Sequence, residues 1–229
     1  MLIREWMTKN VITALPETSM MKASKQMKEN NIRRLPVVDE SGRLVGIVSD
    51  RDIKEASPSK ATTLDVHELY YLLSEIKVKD IMTKSPRILN QNETVERCAV
   101  LMQEKKISSV PIVDDENKVV GIMTDSEVFK LLINITGVYL GGIQLGFKLA
   151  DTEGSLKVIL DTLKKHNARI ISILTAYNRQ DEGLRDVYIR IHNMDKADEN
   201  VLRKELEETY GLSYWVRDTI HPKSIKSMA

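Results

Sequence analysis

The same pattern of apolar and polar positions occurs twice in the first 135 residues of the chain. In each copy, apolar residues spaced as on one face of a helix predict a helix, over residues 19–29 and 94–104. Two short apolar strands follow, LPVVD and LVGIVS in the first copy and VPIVD and VVGIMT in the second. The polar turn between them, DESG or DDEN, predicts a hairpin, after which a further helix begins near Asp50 or Asp125.

The two copies form an internal repeat with a constant offset of 75 residues. The triplet MTK precedes each copy, and residues identical in both include the pairs Pro36 and Pro111, Gly46 and Gly121, and Asp50 and Asp125. One hairpin with its helices is too small to bury both of its faces. We therefore expect the two copies to stack by pseudo-twofold symmetry around one shared core.

The pattern changes after residue 138, where the order β-α-β-β-α-β is predicted. The predicted strands are GGIQLGFKLA, RIISILTAYN, LRDVYIRIHNM and LSYWVRD, with a helix after the first and after the third. Gly211 stands where the glycine that follows a helix is expected. This order is that of the split βαβ, or ferredoxin-like, fold, so the chain is predicted to be of the α+β class.

Composition indicates a soluble globular protein, with 42% hydrophobic and 29% charged residues. The net charge of +1 provides no general attraction for nucleic acid or a membrane, so neither is expected as a partner and any anion site must be local. Residues 131–147 carry no charge, but Gly141 and Gly142 would break a helix there, so a membrane span is not expected. Cys98, the only cysteine, is expected to be buried. Because a single cysteine cannot form an intrachain disulfide and no signal sequence is evident, a cytoplasmic location is expected.

A candidate site stands at the end of the second strand of each copy, in GIVSDRD (46–52) and GIMTDSE (121–127). A strand that ends as a helix begins presents unpaired N–H groups and the positive end of the helix dipole, which suits phosphate. In the first copy, the small, polar and basic residues near this junction are Gly46, Ser49, Arg51, Asp52, Arg33 and Arg34. The aspartate suits ribose hydroxyl groups and the guanidinium groups suit phosphate, which indicates a nucleotide site. A capped helix with a solvated pair of acids explains the same residues equally well.

Taken in this order, the motifs resemble paired CBS domains, also called a Bateman module. The matching strings are MT followed by an I/V-T pair, then LPVVD, then G-h-h-S-x-x-D, in which h is apolar. The resemblance covers about residues 1–135 and implies two CBS domains related by pseudo-twofold symmetry. The expected boundaries are 1–56 for CBS domain 1, 57–77 for a helical linker, 78–135 for CBS domain 2, 138–218 for a C-terminal domain and 219–229 for a tail.

In that family the cleft between paired domains binds adenosine ligands. The resemblance therefore implies AMP, ADP, ATP or S-adenosylmethionine as the ligand, with no required cofactor. Carried over to this chain, it assigns Ser49 and Asp52 to the ribose. It further assigns Arg51, Arg33 and Arg34 to the phosphate, and Val11, Ile12 and Thr13 to the surroundings of the adenine.

The second copy departs from this pattern. Its candidate site consists of Gly121, Thr124, Asp125 and Glu127, and it is expected to be the weaker one. Glu127 is longer than the aspartate it replaces, so its carboxylate is expected to lie too far away for the same grip. Serines stand in place of the three arginines. The second cleft is therefore expected to be empty or to hold a less charged ligand.

The C-terminal unit resembles the ACT domain, a ferredoxin-like module that often binds amino acids at a dimer interface. The matching feature is DTEGSL, residues 151–156, after the first strand of the unit. The resemblance implies that Gly154 meets the carboxylate of an amino acid and that Asp151 holds its amine. The alternative is that Asp151 only caps the helix and that the domain only dimerises.

No catalytic or metal-binding motif is evident, because the four histidines have no ligand spacing and no nucleophile motif occurs. We therefore interpret the chain as a regulatory sensor and not an enzyme. Its arrangement is similar to that of the acetoin-utilisation regulatory proteins of bacteria, and a homodimer that acts on an unidentified regulated protein is expected. The alternative is a dimeric scaffold or interaction protein whose ligand sites have decayed.

Overall fold

The computed structural model describes residues 1–57, 74–177, 182–218 and 220. The chain forms two compact units, residues 1–129 (unit 1) and residues 130–229 (unit 2). Most of the helical linker predicted for residues 57–77 lies outside the described residues, as does nearly all of the predicted tail.

Unit 1 contains the two sequence copies. Its helices are α1 (Ile3–Trp6), α2 (Met20–Glu29), α3 (Asp50–Ala56), α4 (Val78–Ile81) and α5 (Val95–Lys105). Its strands are β1 (Arg34–Val38), β2 (Leu44–Ser49), β3 (Thr83–Lys84), β4 (Leu89–Asn90), β5 (Ser109–Val113) and β6 (Val119–Thr124). Helix α6 (Asp125–Thr136) begins directly after β6 and ends in unit 2. Both predicted hairpins, β1–β2 and β5–β6, are confirmed as antiparallel pairs.

The local sequence accounts for where these elements begin. Ser19 and Thr94 are the N-caps of α2 and α5, and each hydroxyl accepts a hydrogen bond from a backbone N–H of the first turn, at 3.3 and 3.2 Å. Asp39 holds the first hairpin turn, because its Oδ1 accepts from two backbone N–H groups at 2.9 Å. Asp114 does the same in the second turn. The repeated sequence therefore produces repeated local structure.

Each copy is completed by the segment that leads into the other copy. Strand β3, which belongs to the MTK triplet of the second copy, pairs with β2 of the first, and Gly46 lies opposite Lys84. In the other direction, Thr8 and Ile122 are joined by two backbone hydrogen bonds of 3.0 and 3.1 Å. The sequence predicts stacking of two separate copies, and the structure differs from this by the exchange of segments.

The exchange accounts for the glycine in the second strand of each hairpin. Gly46 is buried against Met82, and Gly121 is buried against Met7. A methyl group on either glycine would overlap the sulfur atom of its methionine. An alanine at either position would therefore force its methionine to move, whether or not a ligand approaches the strand.

The pseudo-twofold axis passes between the two hairpin turns. Leu44 N donates to Asn117 O at 3.1 Å, and Val119 N donates to Gly42 O at 3.2 Å. The 75-residue offset converts one of these bonds into the other, as a twofold axis requires. The predicted symmetry of unit 1 is therefore confirmed.

The core of unit 1 also contains the single cysteine. Cys98 is fully buried on α5, as predicted, and burial raises the pKa of its thiol to about 11. The thiol is therefore protonated at neutral pH and acts as a small apolar side chain.

Unit 2 has the β-α-β-β-α-β order that its sequence predicted. Its strands are β7 (Ile143–Ala150), β8 (Ile170–Ala176), β9 (Leu184–Ile191) and β10 (Leu212–Arg217), and its helices are α7 (Ser155–Lys165) and α8 (Lys196–Tyr210). The strands form one antiparallel sheet in the order β10-β7-β9-β8. Buried apolar residues of the sheet and of both helices form the core, so the ferredoxin-like topology is confirmed.

Glycines end the helical segments of unit 2 where the sequence indicated. Gly211 follows α8 with a φ of 62°. Gly141 and Gly142 have φ values of 69° and 87° and separate a short 3₁₀ turn, Val138–Leu140, from β7. Within the described ranges, no helix is both long and apolar enough to cross a membrane.

An ion cluster joins the two helices of unit 2. Glu205 of α8 accepts a hydrogen bond from Lys165 Nζ at 3.0 Å, and its other oxygen lies 2.7 Å from His166 Nε2 at the end of α7. The hydrogen bond with His166, followed by the one with Lys165, holds the pKa of Glu205 below its usual value.

We predict that Gly46→Ala destabilises unit 1, because the added methyl group overlaps Met82 in a packed core. The expected loss is about 1–3 kcal/mol in the free energy of unfolding, measured by urea denaturation. The double variant Gly46→Ala with Met82→Ala should lose less than the sum of the two single changes. Full additivity of the two changes would contradict the close contact.

We also predict that Glu205→Gln lowers the stability of the protein at neutral pH and has little effect in acid. A carboxyl group whose pKa is lowered by folding contributes stability above its unfolded pKa, near 4.5, and loses it as the pH falls through the folded pKa. The difference in urea midpoint between wild type and Glu205→Gln should therefore shrink between about pH 6 and pH 3. A difference that stays constant down to pH 3 would show that the negative charge of Glu205 does not contribute to stability.

Candidate functional site

A cleft of about 430 Å³ lies at the end of the first hairpin, between the two copies in unit 1. Its lining is polar and mostly basic, and consists of Arg33, Arg34, Ser49, Asp50, Arg51, Lys54 and Ser108. Six of these residues come from the first copy, and Ser108 comes from the second. The structure therefore brings the predicted arginines together with the end of β2.

The register of the first hairpin places the arginines beside the start of α3. Arg34 is opposite Ser49 in the β1–β2 pair, and Asp50 N donates to Arg33 O at 2.9 Å. The part-buried side chain of Arg34 also donates to Ser108 Oγ, which ties the second copy to this wall of the cleft. Arg33 and Arg51 are exposed at the rim.

Asp50 is the acidic residue of the cleft, and it lies among cations. Its Oδ2 accepts from Lys54 Nζ at 3.0 Å, one turn further along α3. This hydrogen bond is the largest cause of a lowered pKa of the Asp50 carboxyl, and the positive charges of Arg33 and Arg34 add to it. The cleft is therefore a local concentration of positive charge in a chain whose net charge is only +1.

Ser49 and Asp52, which the sequence assigned to the ribose, form the capping box of α3. Asp52 Oδ2 accepts from both the backbone N and the hydroxyl of Ser49, each at 2.7 Å, and Asp52 N donates back to Ser49 Oγ at 3.2 Å. Ser49 lines the cleft, whereas Asp52 is not among the lining residues. The capping role of these residues is therefore present, and a ribose contact of Asp52 remains a prediction.

Val11, Ile12 and Thr13 are part-buried and directly precede Ala14, which pairs with Val37 on the outer side of β1. Ile12 packs against the core of the first copy. The three residues are not among those that line the cleft, so their assignment to adenine remains a prediction.

Glu127 in the second copy accepts from Thr124 as Asp52 accepts from Ser49, and it makes one further contact. Its Oε2 accepts from Thr124 N at 3.1 Å and from the Thr124 hydroxyl, while its Oε1 accepts from Thr8 Oγ1 at 3.2 Å. Glu127 is only 8% exposed. The extra methylene therefore preserves the contacts with Thr124 and also lets the carboxylate reach Thr8 in the lead-in segment of the first copy.

The remaining residues of the second candidate site are also placed by structural contacts. Gly121 lies against Met7, and the exposed Asp125 accepts from the backbone N of Ser126 at 2.8 Å. A separate open groove of about 540 Å³ is lined by Arg4, Glu5, Met7, Lys9, Asn10, Gln91 and Val120, and it contains none of the second-site residues.

In unit 2, Asp151 and Gly154 precede α7 as predicted. Gly154 is exposed and is the N-cap of α7, with a φ of 81°. Asp151 Oδ1 lies 3.9 Å from Arg185 Nη1, and Arg185 Nη2 donates to Ser155 Oγ at 3.1 Å. Arg185 Nε is buried and has no hydrogen-bond partner within the described part of the chain.

Three polar residues that sequence reasoning missed stand beside the predicted ones. Lys54 follows Arg51 by three positions on α3, a spacing that places both on one helix face and was a usable signal. Ser108 and Arg185 lie far along the chain from their neighbours in the fold, so no local pattern indicates them. Among the described residues, no group of three or more histidine, cysteine or acidic side chains is arranged to hold a metal ion.

Comparison with known proteins identifies the repeated copies. A family model described as the CBS domain matches residues 3–59 and again residues 78–134. A CBS domain-containing protein of Dictyostelium discoideum is 31% identical over 134 residues, which cover 58% of this chain and 92% of that protein.

Other relatives are longer proteins that are named as enzymes. The L-aspartate semialdehyde sulfurtransferase of Methanocaldococcus jannaschii is 35% identical over 130 residues, which cover 57% of this chain and 23% of the enzyme. The chain thus spans about a quarter of the length of such relatives, and their activities are not assigned to it.

Two solved structures, with TM-scores above 0.5, give the same result for the fold. A protein from Vibrio cholerae named as a candidate acetoin utilization protein (AcuB) is 28% identical, with a TM-score of 0.51, over 60% of this chain and 94% of that one. CBSX2 of Arabidopsis thaliana is 29% identical, with a TM-score of 0.52, over 59% of this chain and 96% of that one. A structure described as CBSX2 in complex with AMP matches at 32% identity, with a TM-score of 0.49, over 59% of this chain and 98% of that one.

We predict that Glu127→Ala destabilises unit 1 more than Asp52→Ala. Glu127 is a buried acceptor for donors on two segments, and its loss should cost about 2–3 kcal/mol, whereas loss of a part-exposed helix cap costs about 1 kcal/mol. Urea denaturation of the two variants measures the difference. Glu127→Asp, which shortens the side chain while keeping the carboxylate, should fall between wild type and Glu127→Ala; a larger loss from Asp52→Ala would contradict the ranking.

Proposed function

The chain belongs to the CBS-domain family, and on that premise we propose that it is a non-enzymatic regulatory sensor whose basic cleft binds an adenine nucleotide. The observation that carries the proposal is the convergence of Arg33, Arg34 and Arg51 at the end of β2, beside the hydroxyl of Ser49. Guanidinium groups match the oxygen geometry of phosphate, and the Ser49 hydroxyl, which already donates to Asp52, can still accept a hydrogen bond from a ribose hydroxyl.

The position of the cleft between the copies supports a regulatory role. Arg34 from the first copy and Ser108 from the second meet in its wall, so a ligand held there contacts both copies. A ligand changes the arrangement of a protein only if it binds one arrangement more tightly than another. A nucleotide that bonds to both Arg34 and Ser108 binds the arrangement in which the two residues meet more tightly than one in which they are apart, which supplies such a difference.

The finer assignments made from the sequence belong to the same proposal. They are the ribose role of Asp52, the adenine surroundings formed by residues 11–13, the domain boundaries 1–56, 78–135 and 138–218, and a cytoplasmic homodimer that acts on a regulated partner. The likeness to AcuB is consistent with a role in acetoin utilisation.

A second ligand, an amino acid bound by unit 2 as an ACT domain, is favoured by one observation. Arg185 Nε is a buried donor without a partner among the described residues, and it belongs to a side chain that already contacts Asp151 and Ser155. The carboxylate of an amino acid would satisfy that donor, while Asp151 would hold its amine. Gly154 leaves room for the ligand, since nothing lies within 4 Å of the place where its side chain would be.

The alternative function, a scaffold that binds nothing small, is favoured by the second copy. Where the first copy has Arg33, Arg34 and Arg51, the second has serines, and Glu127 is already engaged by Thr8 and Thr124. The scaffold interpretation extends this loss to the whole chain, which the intact basic cleft of the first copy opposes.

The test is a calorimetric titration of the full chain with AMP, ADP, ATP and S-adenosylmethionine. We predict that at least one binds below millimolar concentration. The double variant Arg33→Ser with Arg51→Ser, which introduces the serines of the second copy, should weaken that binding at least about tenfold, because two charged contacts to phosphate are lost. Both side chains are exposed, so the variant should unfold at the wild-type temperature.

The matched controls are changes outside the cleft. Lys105→Ser with Lys106→Ser removes the same charge from the second copy and should leave the affinity almost unchanged.

Asp52→Ala should weaken binding more than Glu127→Ala does. If none of the four ligands binds below millimolar concentration, the scaffold interpretation replaces the sensor.

A further inference from the structure

We infer that the basic cleft selects its nucleotide by the length of the phosphate chain, with Lys54 as the specificity-determining residue. In this inference, which rests on the proposed function, ATP binds more tightly than ADP and ADP more tightly than AMP. S-adenosylmethionine, whose sulfonium is positively charged, binds most weakly of the four.

The first step of the argument is the charge of the lining. The lining side chains carry four positive charges, on Arg33, Arg34, Arg51 and Lys54, against the one negative charge of Asp50. Each added phosphate brings about one more negative charge to the ligand at neutral pH. A single phosphate group therefore leaves part of the positive charge of the cleft uncompensated, and a longer chain compensates more of it.

The second step is the order of the cations from the wall to the rim. Arg34 is part-buried and bonded to Ser108, so it forms the wall. Arg33, Arg51 and Lys54 are exposed. A monophosphate held at the wall by Arg34 leaves the rim cations to water, whereas a di- or triphosphate reaches outward among them.

The third step singles out Lys54 among the rim cations. It lies one turn beyond Arg51 on α3, its ammonium group is 3.0 Å from Asp50 Oδ2, and its side chain is 76% exposed. An exposed ion pair of this kind is worth little, so the terminal phosphate of a longer ligand displaces Asp50 from Lys54 at small cost. Lysine is also a compact point charge on a flexible chain, which suits the end of a phosphate chain rather than a fixed bidentate contact.

The second copy provides an internal comparison. The positions that correspond to the four cations are Ser108, Ser109, Ser126 and Phe129, and none of them is charged. Selection by charge is therefore confined to the first copy, and one polyphosphate is expected per chain.

The experiment is a set of titrations of the full chain at low salt, where screening is weak, and without Mg²⁺, which would neutralise the phosphates. The ligands are AMP, ADP, ATP and S-adenosylmethionine, with inorganic phosphate and inorganic tripolyphosphate as probes that lack adenosine. We expect affinity to rise about three- to fivefold with each phosphate. Lys54→Gln should weaken the binding of ATP about threefold and leave the affinity for AMP within a factor of about 1.5 of the wild-type value.

The matched control is Lys25→Gln. Lys25 forms a similar ion pair within α2, 3.7 Å from Glu29, and is 73% exposed, but it does not line the cleft. The Lys25→Gln variant should leave the ratio of AMP to ATP affinity unchanged. Both Lys25→Gln and Lys54→Gln should unfold at the wild-type temperature.

The possible results separate this inference from the proposed function. If AMP, ADP and ATP bind equally tightly, or if S-adenosylmethionine binds most tightly, the inference of selection by charge is wrong. The proposed nucleotide site would still be supported by that result. If Lys54→Gln weakens AMP and ATP by the same factor, Lys54 is not the selecting residue. If tripolyphosphate binds in preference to phosphate while none of the adenosine ligands binds, the selection by charge stands and the adenine nucleotide is wrong.

Discussion

The structure of unit 1 depends on one steric constraint, the packing of a methionine from each copy onto a glycine of the other. Met82 covers Gly46 and Met7 covers Gly121, and each contact lies beside a backbone pairing between the copies. Because the same contact is made in both directions, the two copies are held in a twofold arrangement. The basic cleft includes a residue of the second copy only in that arrangement, since Ser108 contacts Arg34 across the boundary between the copies.

Much of the fold could be predicted because local signals agree with one another along this chain. The N-caps Ser19 and Thr94, the turn-forming Asp39 and the glycines of unit 2 each act within a few residues of their own position. The exchange of segments could not be predicted in this way. A methionine in a lead-in and a glycine in a distant strand leave no local pattern, and only the packed structure pairs them.

The candidate site likewise contains some residues that local sequence signals predict and others that only the folded chain brings together. The predicted arginines and Ser49 do meet, because the hairpin register that places them is a local property. Lys54 was within reach of sequence reasoning, since it shares a helix face with Arg51. Asp52 and Glu127 show the limit of motif reasoning, because both carboxylates are bonded to backbone and hydroxyl groups that a motif does not display. Arg185 meets Asp151 only through the pairing of β7 with β9, which brings two distant segments together.

The contact between Glu127 and Thr8 has a consequence for redesign of this protein. Aspartate and glutamate rank as interchangeable in most substitution schemes, yet here one methylene decides whether a carboxylate serves its own helix alone or also fastens another segment. Grafting the first site onto the second copy would therefore take more than three arginines. The graft would also have to release Thr8, and the stability lost there would need to be restored elsewhere before the new site could be judged on its binding.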